Sequence, residues 1–138
     1  MSSFWLYGIE YGYRFESRVL KDFKRDTGQC LHSLFYNCLK TAASDGVGGI
    51  FSLVDVQLAA DVFYHLHSTT NKNASKDVFF DACIRSGFDL MDMDKDERLC
   101  CYAFIIWKLA LAYSNEWKEE KVKELEKMQA STDTQSAQ

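Results

Sequence analysis

The 138-residue chain is 47% hydrophobic and 14% aromatic, and it carries a net charge of −4. This composition excludes a disordered chain, and the length suits one domain with a hydrophobic core. The acidic balance argues against nucleic acid binding, in which basic residues supply most of the affinity. The chain has no proline, so long helices can run without interruption, and we predict an all-α fold.

The cysteines and the first residues indicate a reduced, cytosolic setting. The five cysteines are an odd number, and residues 1–18 lack the basic segment and cleavage site of a secretory signal. We therefore expect mostly buried thiols rather than a disulfide scaffold. The most apolar segment, residues 99–113, is shorter than the roughly 20 residues that span a bilayer, and Lys108 interrupts it. We expect no membrane association.

Aromatic residues dominate the start of the chain. Apolar and polar positions alternate there only loosely, so the alternatives are a short strand or hairpin and an extended arm. The candidate partner-binding residues are aromatic, because aromatic residues are enriched at interface cores: Trp5, Tyr7, Tyr11, Tyr13 and, in the last helix, Trp117. The alternative is that the N-terminal aromatic residues cover the end of the protein's own core.

Glycine separates the next two predicted helices. The first ends at Gly28, because glycine readily takes the left-handed conformation that follows a helix. The second is indicated by apolar residues with helical spacing at positions 31, 34, 35, 38 and 39. The glycine-rich segment 45–49 then predicts a loop.

Two more helices are predicted between residues 52 and 87. Ser52 and Asp55 resemble a capping box at the start of the first, with aspartate in place of the commoner glutamate. This helix runs to about His67. Ser75 is the predicted cap of the second helix, and Gly87 is its predicted stop.

A last helix of about 30 residues is predicted from Asp94, apolar nearly all round in its first half and charged in its second. The full prediction is therefore an all-α protein of about five helices with a long C-terminal helix. We also predict either a short N-terminal strand or hairpin, or an arm. Residues 1–130 form the single predicted domain, and residues 131–138 are predicted to be a disordered tail.

Alternating aspartates within residues 89–98 suggest a calcium-binding loop. An EF-hand loop needs oxygen ligands at positions 1, 3 and 5, glycine at position 6 and glutamate at position 12. Counting from Asp92 places Glu97 at position 6 and Ala103 at position 12, and the other registers also fail. We therefore predict that Asp94 caps the last helix, with Glu97 in its first turn, and that no metal is bound.

Histidine and cysteine residues give no catalytic pattern. His65 and His67 are two residues apart, so on a helix they point to different faces and cannot chelate one metal. The adjacent Cys100 and Cys101 lie in an apolar segment, where packing is the simpler interpretation. His32 has no orienting group nearby in the sequence. We predict no enzymatic activity and no cofactor.

One further pattern involves fold-forming positions in residues 13–90. Its first part comprises Asp26, Thr27, Gly28, Leu31 and Phe35, and its second part comprises Ser52, Leu53, Asp55 and the helix to Leu66. This pattern resembles the tail assembly chaperones of long-tailed bacteriophages. The chain departs from that family at residues 64–68, where the family commonly has a glycine turn. The long helix after residue 94 lies outside the resemblance.

The resemblance implies a small α-helical protein that binds the tape measure protein, and tail tube subunits as a further client, in the host cytoplasm. It also implies self-association, absence from the mature virion and, in many such phages, a longer frameshifted product. Such a protein would act by covering apolar faces of a helical client.

Two other hypotheses stand beside the chaperone. One is a small phage or bacterial regulator or inhibitor that acts by binding protein or DNA. Its DNA-binding version depends on basic residues of the first helix, Arg18, Lys21, Lys24 and Arg25. The other is an enzyme that depends on a metal held by the acidic residues 89–98.

Overall fold

The computed structural model describes residues 2–87, 98 and 100–136. Two strands come first, β1 (Ser2–Leu6) and β2 (Ile9–Tyr13). The α-helices are α1 (Ser17–Thr27), α2 (Leu31–Asp45), α3 (Val56–His67), α4 (Lys76–Ser86) and α5 (Tyr102–Ser136), and a 3-10 helix (Val47–Ser52) lies between α2 and α3. The prediction was an all-α fold with a long C-terminal helix. The fold is mainly α-helical and has that helix, and the N-terminal segment is a β-hairpin, one of the two predicted alternatives.

The hairpin buries one face against the helices. Its strands are antiparallel, with Phe4 opposite Tyr11. Tyr7 and Gly8 in the turn both have positive φ, 46° and 82°, as a two-residue hairpin turn of type I′ requires. Successive side chains of a strand point to opposite faces, and the inward set is buried: Phe4, Leu6, Tyr11 and Tyr13.

Three hydrogen bonds attach the hairpin to the end of α3. Nδ1 of His67 lies 2.8 Å from the carbonyl oxygen of Gly12. The Thr70 hydroxyl donates to the same oxygen at 2.9 Å, and the backbone amide of Arg14 donates to the Thr69 hydroxyl at 2.9 Å. The hairpin is therefore a fixed part of the fold and not a free arm.

The helix ends follow local chemistry, with one correction to the sequence prediction. Gly28 has a φ of 75° and ends α1, as predicted. Asp55, however, is itself the N-cap of α3, because its carboxylate accepts a hydrogen bond from the Leu58 amide at 2.8 Å. Ser52 belongs to the 3-10 helix, where its hydroxyl donates to the carbonyl of Gly49. The predicted Ser52 capping box is therefore wrong by one turn.

The start of α5 also differs from the prediction. The helix begins at Tyr102 rather than at Asp94, and Cys100 and Cys101 are not helical. The carbonyl of Arg98 accepts a hydrogen bond from the Gly8 amide at 2.8 Å, so the hairpin turn takes a group that a continuous helix would use internally. Asp94 and Glu97, the predicted cap residues, lie outside the described residues.

At its other end α5 is longer than predicted. The helical backbone continues to Ser136, six residues past the predicted domain boundary at residue 130. The domain boundary at residue 130 and the disorder of residues 131–138 stay predictions.

A single hydrophobic cluster draws on the hairpin and on all five α-helices. Phe63 of α3 is fully buried and packs on Phe4, with ring centroids 5.0 Å apart. The buried hydroxyl of Tyr102 donates to the carbonyl of Val54 at 2.7 Å. This bond satisfies a buried polar group of α5 at the point where the helix enters the core.

Most of the cysteines contribute to this core. Cys38, Cys83, Cys100 and Cys101 are buried, and Cys30 is exposed, in agreement with the prediction of mostly buried thiols. Burial raises the pKa of Cys38 to about 11 and that of Cys83 to about 12. Such thiols stay protonated at neutral pH and pack as small apolar side chains.

Candidate partner-binding site

The candidate site lies where α5 leaves the body of the protein. Residues 102–110 are mostly buried, whereas every side chain from residue 115 to residue 130 is exposed. We call residues 102–114 the proximal segment of α5 and residues 115–130 its distal segment. Trp117 stands near the junction of the two segments with 44% of its surface exposed.

Three rings form a ridge at this junction, which we call the aromatic ridge: His32 of α2 with Tyr113 and Trp117 of α5. The Tyr113 hydroxyl lies 2.8 Å from Nδ1 of His32, and the His32 and Trp117 rings are 6.0 Å apart. Tyr113 also packs on Phe15 and Phe35, with centroids 5.3 and 5.4 Å away. These contacts hold Tyr113 in place, and Trp117 lies beside it at the exposed end.

The α2–α5 groove lies on one side of the ridge. It is a cleft of about 640 Å³, and its apolar lining comprises Phe35, Tyr36, Leu39, Ala110, Tyr113 and Trp117. Tyr36 is 63% exposed, a large apolar surface to leave in water. The polar groups at the groove are those of His32, Lys40, Ser114 and Lys118. A cleft of this size and composition can take several apolar side chains from one face of a helix.

The α1–α5 cleft lies on the other side of the ridge. Its volume is about 460 Å³, and its apolar residues outside the ridge are Phe15, Val19, Leu20 and Leu31. Three carboxylates line it, those of Glu16, Glu116 and Glu120. The two clefts therefore share the ridge but differ in the charge of their polar residues.

Two titratable groups near the ridge have shifted pKa values. Burial raises the pKa of Tyr113, and the neighbouring Cys30 and Glu120 shift it in the same direction. Cys30 occupies the N-cap position of α2, and hydrogen bonds from the backbone and side chain of Ser33 lower its pKa. The Tyr113 hydroxyl, whose pKa lies above its ordinary value of 10.0, is protonated at neutral pH and can hydrogen-bond to His32.

The aromatic residues predicted to bind a partner lie in different environments. Tyr11 and Tyr13 are 9% and 5% exposed, because they are two apart on β2 and both face inward. They belong to the protein's own core, as the alternative prediction held. Partner binding through these two side chains is therefore not favoured by the fold.

Tyr7 is exposed and Trp5 is half-buried, and neither lies beside Trp117. The Arg98 guanidinium lies 5.9 Å from the ring of Trp5, and Arg85 of α4 lies 6.0 Å from the ring of Tyr7. Tyr7 lines a separate shallow depression between the hairpin and α4. Of the five predicted residues, only Trp117 lies at the two clefts, and its role in binding stays a prediction.

Sequence reasoning missed the α2 side of the groove. Tyr36 lies next to the apolar stripe that predicted α2 but does not belong to it, and Leu39, assigned to that stripe, is only half-buried. An aromatic residue outside the stripe of an amphipathic helix was the available signal. Its connection to Trp117 could not be read from the sequence, because the two residues are far apart along the chain.

The two histidines His65 and His67 have different neighbours. His65 and His67 point in different directions, as predicted, and His67 contacts the carbonyl of Gly12. His65 is buried, and its Nε2 lies 3.0 Å from Oδ2 of Asp26 in a geometry that is not aligned as a hydrogen bond. Within residues 2–87, 98 and 100–136, no three His, Cys, Asp or Glu side chains are grouped to hold a metal ion.

Basic residues of α1 are partly engaged by acidic neighbours. Arg25 lies 3.3 Å from both Asp22 and Asp26, and Arg18 lies 3.7 Å from Glu16. These carboxylates reduce the positive charge that a phosphate backbone would meet, which weakens the case for DNA binding through α1.

Comparison with known proteins identifies no relative. The chain matches no family model, no curated protein and no solved structure. In the part of the chain that the structure describes, no helix is long and apolar enough to cross a membrane.

Proposed function

We propose that this protein is a tail assembly chaperone of long-tailed bacteriophages that binds an apolar, helical stretch of the tape measure protein. Tail tube subunits are a further proposed client, self-association accompanies the activity, and the protein works in the host cytoplasm. The proposal rests on the resemblance over residues 13–90 together with the presence of a surface suited to a helical client.

The observation that carries the proposal is the α2–α5 groove. A client helix can place apolar side chains at i, i+3, i+4 and i+7 into such a groove. Tyr36 and Trp117 are large and exposed, so their burial against a client would remove considerable apolar surface from water. Tyr113 lines the same groove and packs on Phe15 and Phe35. This packing keeps that wall of the groove formed in the free protein, which lowers the entropic cost of binding.

Co-expression tests this function. We expect the full chain to co-purify with the tape measure protein encoded by the same phage and to increase the amount of that protein in the soluble fraction. The double variant Y36A/W117A should lose the complex, because it removes both exposed anchors of the groove. The measurements are affinity co-purification and the soluble yield of the tape measure protein.

A matched control separates the groove from a general loss of surface hydrophobicity. Ile84 on α4 is 54% exposed and lies outside both clefts, so I84A should keep the complex. If the wild-type chain gives neither a complex nor a gain in soluble tape measure protein, the proposed function is wrong.

A further inference from the structure

The two clefts beside the aromatic ridge carry opposite charges. Lys40 of α2 and Lys118 of α5 line the α2–α5 groove, whereas Glu16, Glu116 and Glu120 line the α1–α5 cleft. Two lysines from different helices therefore line one apolar groove, although the chain as a whole has more acidic residues than basic ones, 20 against 16.

Helix geometry explains this separation on α5. At 100° per residue, Glu116 and Glu120 fall on one side of Tyr113 and Trp117, while Lys118 and Lys121 fall on the other. The Lys121 ammonium lies 5.4 Å from the centroid of the Trp117 ring, which adds a third positive charge next to the groove. Over residues 113–121 the order around the helix is acid, aromatic ridge, base.

We infer that the α2–α5 groove selects an amphipathic helix whose apolar face is flanked by acidic residues. This inference rests on the proposed function, in which the groove is the client site, and it specifies the chemistry of the client. Apolar burial would supply most of the affinity. Attraction between the client's carboxylates and the lysines would set its orientation and speed its association.

A second copy of the chain matches these charges less well. The distal segment of α5 has apolar residues of its own, Val122, Leu125 and Met128, which are exposed. Its flanks, however, mix both signs: residues 115–130 contain four lysines and five glutamates. An acidic helix from another protein therefore complements the lysines better than the protein's own α5 does.

Peptide binding tests the inference directly. Three synthetic 20-residue amphipathic helices would share one leucine-rich face and differ only in their flanking residues, which are glutamate, glutamine or lysine. Fluorescence anisotropy with the full chain should give at least a ten-fold lower Kd for the glutamate peptide than for the lysine peptide at low salt. This ratio should shrink as salt screens the charges.

Charge reversal at the groove supplies the matched comparison. The variant K40E/K118E should reverse the order of the glutamate and lysine peptides. The variant K123E/K127E makes the same change in net charge on the side of α5 turned away from the groove, and it should keep the wild-type order. Circular dichroism would show that both variants keep their helices.

The outcomes separate this inference from the proposed function. Equal affinities for the three peptides, no peptide binding, or an unchanged order in K40E/K118E would overturn the inference. So would light scattering that shows a dimer abolished by Y36A/W117A, since a second copy would then occupy the groove. If the peptides follow the expected order but the tape measure protein forms no complex, the inference stands and the proposed function fails.

Discussion

The proximal and distal segments of α5 belong to one helix but are stabilised in different ways. In the proximal segment Tyr102, Ile106 and Leu109 are almost fully buried and join the core. In the distal segment every side chain is exposed, so its stability depends on helix propensity and on pairs of neighbouring charges. An isolated helix of this length is marginal in water. Core packing therefore holds the proximal segment in place, whereas helix propensity and neighbouring charges keep the distal segment helical.

The largest expected loss of stability comes from removing a buried aromatic ring from the hydrophobic core. Phe63→Ala should lower the free energy of unfolding by about 3–5 kcal/mol, because it leaves a cavity among closely packed rings. Leu125→Ala in the distal segment should change it by less than about 0.5 kcal/mol, since that side chain is 62% exposed. Urea denaturation followed by circular dichroism measures both values. A similar decrease in unfolding free energy for the two variants would mean that the distal segment packs against other parts of the protein or against a second copy of it.

A smaller effect is expected at the start of α3. Asp55→Ala removes the carboxylate that accepts from the Leu58 amide and should cost about 0.5–2 kcal/mol in unfolding free energy. Ser75 occupies the N-cap position of α4, but its side chain makes no capping hydrogen bond, so Ser75→Ala should change stability much less. Thermal and urea denaturation of both variants provide the comparison. Equal losses would contradict this assignment of the cap.

Asp55 also illustrates how far the sequence could predict the structure. Periodicity located α2 and α3 well, because a buried stripe repeats with the period of the helix, and the Ser75 and Gly87 signals located α4. The choice between Ser52 and Asp55 as the cap depends on the 3-10 helix Val47–Ser52. Its first residues belong to the predicted loop 45–49, and its last residue, Ser52, is the predicted start of a helix. Local patterns identify helices better than they identify the residues that end them.

The candidate site was predictable only in part, for a related reason. Trp117 could be identified as an exposed aromatic residue on a charged helix. The groove beside it requires α2 and α5 to lie next to each other, and the sequence gives no direct sign of that neighbourhood. Tyr11 and Tyr13 were predicted as binding residues, but they are buried. Once the hairpin forms, the alternation of side chains along β2 points both of them into the core.

The buried side chain of His65 should make the stability of the protein sensitive to acid. Burial lowers the pKa of His65 below 6.5, although Asp26 opposes the shift. The unfolded chain therefore binds a proton at a higher pH than the folded protein does, so stability should be highest above pH 6.5 and fall as the pH drops below that value. The variant His65→Gln should show a weaker dependence between about pH 7 and pH 5.

Protonation of Asp26 should also lower the stability of the protein, at a lower pH than protonation of His65 does. Desolvation opposes the change, but the hydrogen bond from Arg25 and the charges of His65 and Lys76 lower the pKa of Asp26 below 3.8. Its contribution to stability should therefore disappear only as the pH falls below about 4, after that of His65. Urea midpoints measured across pH 3 to 8 separate the two ranges. A wild-type midpoint that rises between pH 7 and pH 5 would contradict the sign of the His65 shift.

The smallest expected effect tests the distal segment by itself. Glu119 and Lys123 are four residues apart, a spacing at which opposite charges support a helix by about 0.2–0.5 kcal/mol. Lys123→Glu replaces this pair with like charges and should speed amide hydrogen exchange in residues 120–128. The urea midpoint of the whole protein should stay unchanged, because those amides open without unfolding the core. If the midpoint moved together with the exchange rates, the two segments of α5 would unfold as one unit, and the contrast between them would fail.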